Sequence, residues 1–118
     1  MIVSYLSDTS MARIAIHPGE HLSEELQALG MSAAELARQL GVPTNRVTAI
    51  LNGQRAVTGD TALRLGHFFG VSPEFWLNLQ ANYELRAAEA KLGKRLKAMP
   101  TLSSIGKAAG RRQPERAS

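Results

Sequence analysis

From Pro18 onward, apolar residues recur at helical spacing, and no stretch alternates as a strand would. Leu22, Leu26 and Leu29 fall at i, i+4 and i+7 behind Pro18, which suits a first helical position, and Gly30 supplies the stop. Ser32 with Glu35 three residues on reads as a capping box; Leu36, Ala37 and Leu40 then face inward before Gly41 ends this short helix. Val42 and Pro43 lead into a third helix, with Val47, Ile50 and Leu51 as its apolar stripe and Asn52-Gly53 as its end. Thr58 is the expected N-cap of a fourth, running through Ala62, Leu65 and Phe69 to Gly70. Ser72-Pro73 opens a fifth, carrying Trp76, Leu79 and Tyr83 and reaching Leu92. The pattern predicts an all-α domain of five helices over residues 13–92.

The second and third helices are separated by only a short turn, a geometry that sets two helices at a steep angle and frees the polar face of the second. That face displays Thr44, Asn45, Arg46 and Thr48 near its N-terminal end. Asn suits the edge of adenine, Arg that of guanine, and the Thr methyl that of thymine, so these four are the candidate base-contacting residues, with Arg46 foremost. Ser32, Arg38, Asn52, Gln54 and Arg55 lie at the edges where phosphates would pass. No acid occurs between Leu36 and Gly59, while Arg38, Arg46 and Arg55 do, which predicts a locally positive surface. The plainer alternative is a set of ordinary solvated polar residues on a helical interaction module that never touches DNA.

Charge changes this picture in one respect. The formal net charge over 118 residues is +4, but residues 1–92 hold seven Lys/Arg against nine acids, whereas residues 93–118 hold seven against Glu115 alone. The basic character therefore belongs to the tail and does not by itself argue for nucleic acid. That tail, with Lys94, Arg95, Lys97, Lys107, Arg111, Arg112 and Arg116 and no aromatic residue, is expected to be disordered or to order only on binding, serving either solubility or as a phosphate-binding arm. Residues 1–12 are expected to be a flexible extension, with Met11 as a second candidate start. No stretch has the apolar length or flanks of a signal peptide or membrane span, and the absence of cysteine gives no reason to expect an oxidising compartment, so cytoplasmic residence without membrane contact is expected.

Other chemistry is poorly supplied. His17 and His21 share a helical spacing used by zinc sites but lack a third ligand nearby, His67 being distant, so no metal is expected and His17 reads better as a helix-start residue. The glycines sit singly at helix ends rather than in a phosphate-cradling loop, and no nucleophile–base arrangement is evident. Neither a cofactor nor enzymatic activity is expected. Phe75, Trp76 and Tyr83 read as core, with Leu79, Tyr83 and the helix beyond as the alternative: part of a dimer interface.

Three motifs narrow the assignment: His17-Pro18-Gly19-Glu20 before the first helix, Leu51-Asn52-Gly53 closing the third, and Ser72 to Gln80, SPEFWLNLQ, opening the fifth. With them, residues 13–92 resemble the phage-repressor-like (XRE) helix-turn-helix family and, more narrowly, the HigA/VapI-type antitoxins. The resemblance implies a homodimer that represses its own operon and neutralises a small HigB/RelE-like, ribosome-dependent, mRNA-cleaving toxin. It places the base-reading positions on Thr44, Asn45, Arg46 and Thr48. Pro43 departs from the pattern, since a Ser or Thr cap is usual there and proline offers no side-chain acceptor. The basic tail is the second departure. A free-standing repressor without a toxin shares all the residue-level features.

Overall fold

The computed structural model describes residues 14–109, with side chains through residue 106. The expected N-terminal extension, residues 1–12, lies outside the described residues. The chain divides into two units between Ala88 and Glu89, of which the first holds the core.

Five helices follow the pattern of apolar positions: α1 (Pro18–Leu29), α2 (Ala33–Leu40), α3 (Thr44–Leu51), α4 (Gly59–Phe69) and α5 (Pro73–Leu92). Most of their ends are fixed by local chemistry. Ser32 Oγ accepts from the Glu35 amide at 3.1 Å, and a Glu35 carboxylate oxygen receives the Ser32 amide at 3.4 Å, closing the capping box of α2. Ser72 Oγ accepts from the Glu74 amide at the start of α5. Gly30, Gly41 and Gly70 end α1, α2 and α4 in the left-handed conformation. Thr58 occupies the N-cap position of α4, but its side chain makes no cap hydrogen bond.

Leu22 and Leu26 of α1, Leu36, Ala37 and Leu40 of α2, Val47 and Ile50 of α3, Val57 of the loop that follows it, Ala62 and Leu65 of α4, and Trp76 of α5 form one buried cluster. Trp76 is 1% exposed and is ringed by His21, Phe69 and Phe75 at centroid distances of 5.3–6.0 Å. Tyr83 packs edge-on against His17 at 4.9 Å, so its ring is engaged within the chain, and Leu79 lies against the core. At two places helices meet almost backbone to backbone. A Cβ on Gly19 would lie 2.0 Å from the Ile50 carbonyl oxygen, and one on Gly66 would lie 2.7 Å from that of Val71, so glycine is what lets α1 reach α3 and α4 reach the start of α5.

Past Gly93 the described residues form α6 (Lys94–Ala98) and α7 (Leu102–Ala109), in a segment expected to be without structure. The departure has a local cause: Thr101 Oγ1 accepts from the Ser104 amide and Ser104 Oγ from the Thr101 amide, a reciprocal cap with serine in the place usually held by Glu or Gln. None of α6 is buried, and Leu96, Met99, Leu102 and Ile105 are exposed. Among the described residues no helix is long and apolar enough to cross a membrane.

Candidate nucleic-acid interface

The turn between α2 and α3 is held from three sides. Gly41, at φ 72°, lets the Val42 amide reach the Ala37 carbonyl at 3.0 Å. Arg64 of α4 donates from Nη1 to the Leu40 carbonyl at 2.7 Å, satisfying one of the carbonyls a helix leaves unpaired at its end. Val47 and Ile50, 2% and 1% exposed, seat α3 on the core.

The far end of α3 is positioned by the His17-Pro18-Gly19 segment. The Gly19 amide donates to His17 Nδ1 at 2.9 Å, capping α1, and the Arg55 main chain lies near enough to the same ring to favour its charged form. Nδ1 is therefore the bare nitrogen and Nε2 carries the proton. Burial pushes the His17 imidazole below its ordinary value, against smaller opposing effects from the Arg55 carbonyl and Glu20. The loop after α3 is fixed again at Val57, whose amide donates to the buried Gln80 Oε1 at 2.8 Å; Gln80 in turn donates to Glu84 at 2.9 Å. His17 and His21 thus have separate duties: His21 meets Glu25 at 3.5 Å and packs on Phe75 and Trp76.

With Val47 and Ile50 buried and roughly 100° of rotation per residue, the centre of the opposite face of α3 falls on Asn45, Thr48, Ala49 and Asn52. Asn45 and Asn52 are exposed; Thr48 is half-buried and donates its hydroxyl to the Asn45 carbonyl at 3.3 Å. Thr44 is exposed at the leading edge, where Pro43 makes no side-chain cap yet the helix enters with ordinary geometry. Ala49 was not among the expected contacts, although its spacing from Asn45 and Asn52 marks it; its small side chain lets the helix backbone approach whatever lies against this face.

Arg46 sits differently from the expectation. It lies at the flank of the exposed face, half-buried, and donates from Nη1 to Asp60 Oδ2 at 2.6 Å. The same oxygen receives Arg64 Nε at 3.0 Å, and the two guanidiniums, Arg64 first, hold the Asp60 carboxyl below the usual carboxylate range. The acid-free run from Leu36 to Gly59 therefore does not give an acid-free surface, because Asp60, one residue beyond it, folds back onto Arg46. Of the expected phosphate positions, Arg38, Asn52, Gln54 and Arg55 are exposed around α3. Ser32 is also exposed, but its oxygen is engaged in the cap, and the Glu35 carboxylate beside it would repel a phosphate.

A helix-turn-helix family model matches residues 22–76. The virulence-associated protein I of Dichelobacter nodosus is 50% identical over 76 residues, 64% of this chain and 70% of that protein. An addiction-module antidote protein of the HigA family from Coxiella burnetii superposes with a TM-score of 0.72 at 59% identity, covering 74% of this chain and 96% of that one. The chain belongs to the HigA-type antitoxins of the phage-repressor-like helix-turn-helix family. A second HigA, from Pseudomonas aeruginosa and solved with its higBA promoter, matches with a TM-score of 0.72 at 42% identity, over 75% of this chain and 97% of that one. HigA-type proteins are transcription regulators, not enzymes, and the motifs that mark this one have structural duties here: His17 to Gly19 seat α3, and Ser72 to Gln80 supply the α5 cap, Trp76 and the anchor for Val57.

Proposed function

We propose that this protein is an operator-binding antitoxin that represses its own operon and neutralises a small HigB/RelE-like mRNA-cleaving toxin in the cytoplasm. The observation that carries the DNA half is the exposed face of α3, a polar strip of Asn45, Thr48 and Asn52 around Ala49 on a helix held firmly at both ends. Asn45 is the foremost base reader, with Thr44 and Thr48 beside it and Arg46 entering from the flank. Arg38, Asn52, Gln54 and Arg55 take the neighbouring phosphates. Two copies acting together read half-sites about 34–36 Å apart, one turn of duplex, so the binding form is a homodimer. The HigA of Pseudomonas aeruginosa, a relative at 42% identity, binds promoter DNA and supports this reading.

Competition between the protein's own upstream region and a scrambled duplex of equal length, at stated salt, tests the operator. Binding the upstream region at least about a thousandfold more tightly is expected of a specific regulator; equal affinity would leave a helical interaction module instead. Co-expression with the product of the adjacent reading frame tests the toxin. Relief of growth arrest together with a complex surviving gel filtration is expected; neither effect would leave a free-standing repressor.

A further inference from the structure

We propose that Asp60 is a specificity-determining positioning residue, which holds the Arg46 guanidinium to one orientation at the edge of the recognition helix and keeps it from binding phosphates indiscriminately. The inference rests on the operator-reading role proposed for α3. Three side chains and one main-chain carbonyl form a continuous chain: the Leu40 carbonyl in the helix-turn-helix turn, Arg64 at 2.7 Å, Asp60 Oδ2 at 3.0 Å from Arg64 Nε, and Arg46 Nη1 at 2.6 Å from the same oxygen. Arg64 is itself fixed by the turn, so Asp60 is held on α4 and in turn fixes Arg46 on α3.

The geometry leaves Arg46 usable. A guanidinium has five N–H donors in a rigid plane, and Asp60 is bonded through Nη1 alone, so the rest of the fork remains for a base edge while its direction is set from behind. A long cation without such a partner would find a phosphate at almost any sequence, since phosphates dominate non-specific affinity. As an acid in the first turn of α4, Asp60 also complements the helix dipole. That simpler role does not depend on Arg46, and this separates the two.

The test measures affinity for the protein's own operator and for scrambled DNA over a salt series, for the unaltered protein, Asp60→Asn, Asp60→Glu, Arg46→Ala and the Asp60→Asn/Arg46→Ala double variant, with unfolding midpoints recorded for each. Asp60→Asn is expected to bind scrambled DNA several-fold more tightly, to steepen the salt slope by about 0.9 for the one cation set loose, and to lower the operator-to-scrambled ratio. Asp60→Glu retains the charge and is expected to keep most of the ratio. In the Arg46→Ala background the change to Asn is expected to alter neither ratio nor slope. An unchanged ratio in Asp60→Asn, or the same change whether or not Arg46 is present, would overturn the proposal. If Asp60→Asn does not fold, Asp60→Glu against Arg46→Ala decides it: a ratio lost in both, with midpoints unchanged, also overturns it. Failure of the unaltered protein to discriminate operator from scrambled DNA is a separate result and would remove the operator reading first.

Discussion

Substituting Gly19 by alanine should destabilise the protein through a single methyl. That methyl would sit 2.0 Å from the Ile50 carbonyl oxygen, while carbon–oxygen contacts close only to about 3.3 Å, so α1 must retreat from α3 by roughly 1 Å. The carbonyl cannot simply turn aside, because it also receives the Gly53 amide at 3.0 Å in the turn that ends α3. Overpacking of this kind costs about 1–3 kcal/mol, of which alanine's helical advantage over glycine, about 0.5–1 kcal/mol, offsets part. The net loss, at most about 2.5 kcal/mol and about 1 kcal/mol at mid-range, lowers the unfolding midpoint by about 4–8 °C per kcal/mol for a unit of this size. Gly59→Ala is the control: it lies in the first turn of α4, has no left-handed φ and meets no atom within 4 Å, so the same chemical change should stabilise by about 0.4–1 kcal/mol. Thermal and urea unfolding followed by circular dichroism compare the three proteins. A Gly19→Ala midpoint at or above that of the unaltered protein would refute the claim that the backbone contact seats α3.

Gln80→Leu keeps the bulk but leaves the buried Val57 amide without its acceptor, and is expected to cost about 1–3 kcal/mol in urea unfolding, whereas an exposed-site change such as Gln54→Leu should cost almost nothing. His17 gives the fold a pH dependence. Its folded-state value lies below the ordinary imidazole value of about 6.5, so the unfolded chain binds the proton first; the stability is fully present above that pH and is lost as pH falls through the folded-state value. Protonation also removes the Nδ1 acceptor from the Gly19 amide. The midpoint should therefore drop between pH 7.5 and 5.5, and His17→Asn, an N-cap residue that does not titrate, should flatten that drop; an equal drop in the variant would assign the effect elsewhere.

What was legible in the sequence is what local chemistry determines. Ser32 with Glu35, Pro18, Ser72-Pro73 and the terminal glycines act within a few residues of themselves, so the bounds of α1 and α2, the end of α4 and the start of α5 follow from them almost without tertiary information. The cap at Thr101 and Ser104 was equally local but was masked by a composition that suggests disorder. The site was harder because its decisive contacts join residues far apart in the chain: Arg46 to Asp60 across fourteen positions, Val57 to Gln80 across twenty-three, and Gly19 to Ile50 between the first and third helices. A count of acids between two positions says nothing about which acid folds back onto them. The Asp60–Arg64 pair at i, i+4 was visible as a helical pair, but its link to Arg46 required the crossing of α3 and α4.

The central claim is that the exposed face of α3 reads bases, and replacing Asn45 by alanine tests it most directly, because this side chain is exposed and its loss removes no contact from the core. Equilibrium binding of Asn45→Ala and the unaltered protein to the operator and to scrambled DNA, at one salt concentration, is the measurement. A loss of about 1–3 kcal/mol on the operator is expected, with relaxed discrimination at one base pair and unchanged affinity for scrambled DNA. An operator affinity that does not move, or a loss of equal size on both duplexes, would contradict it.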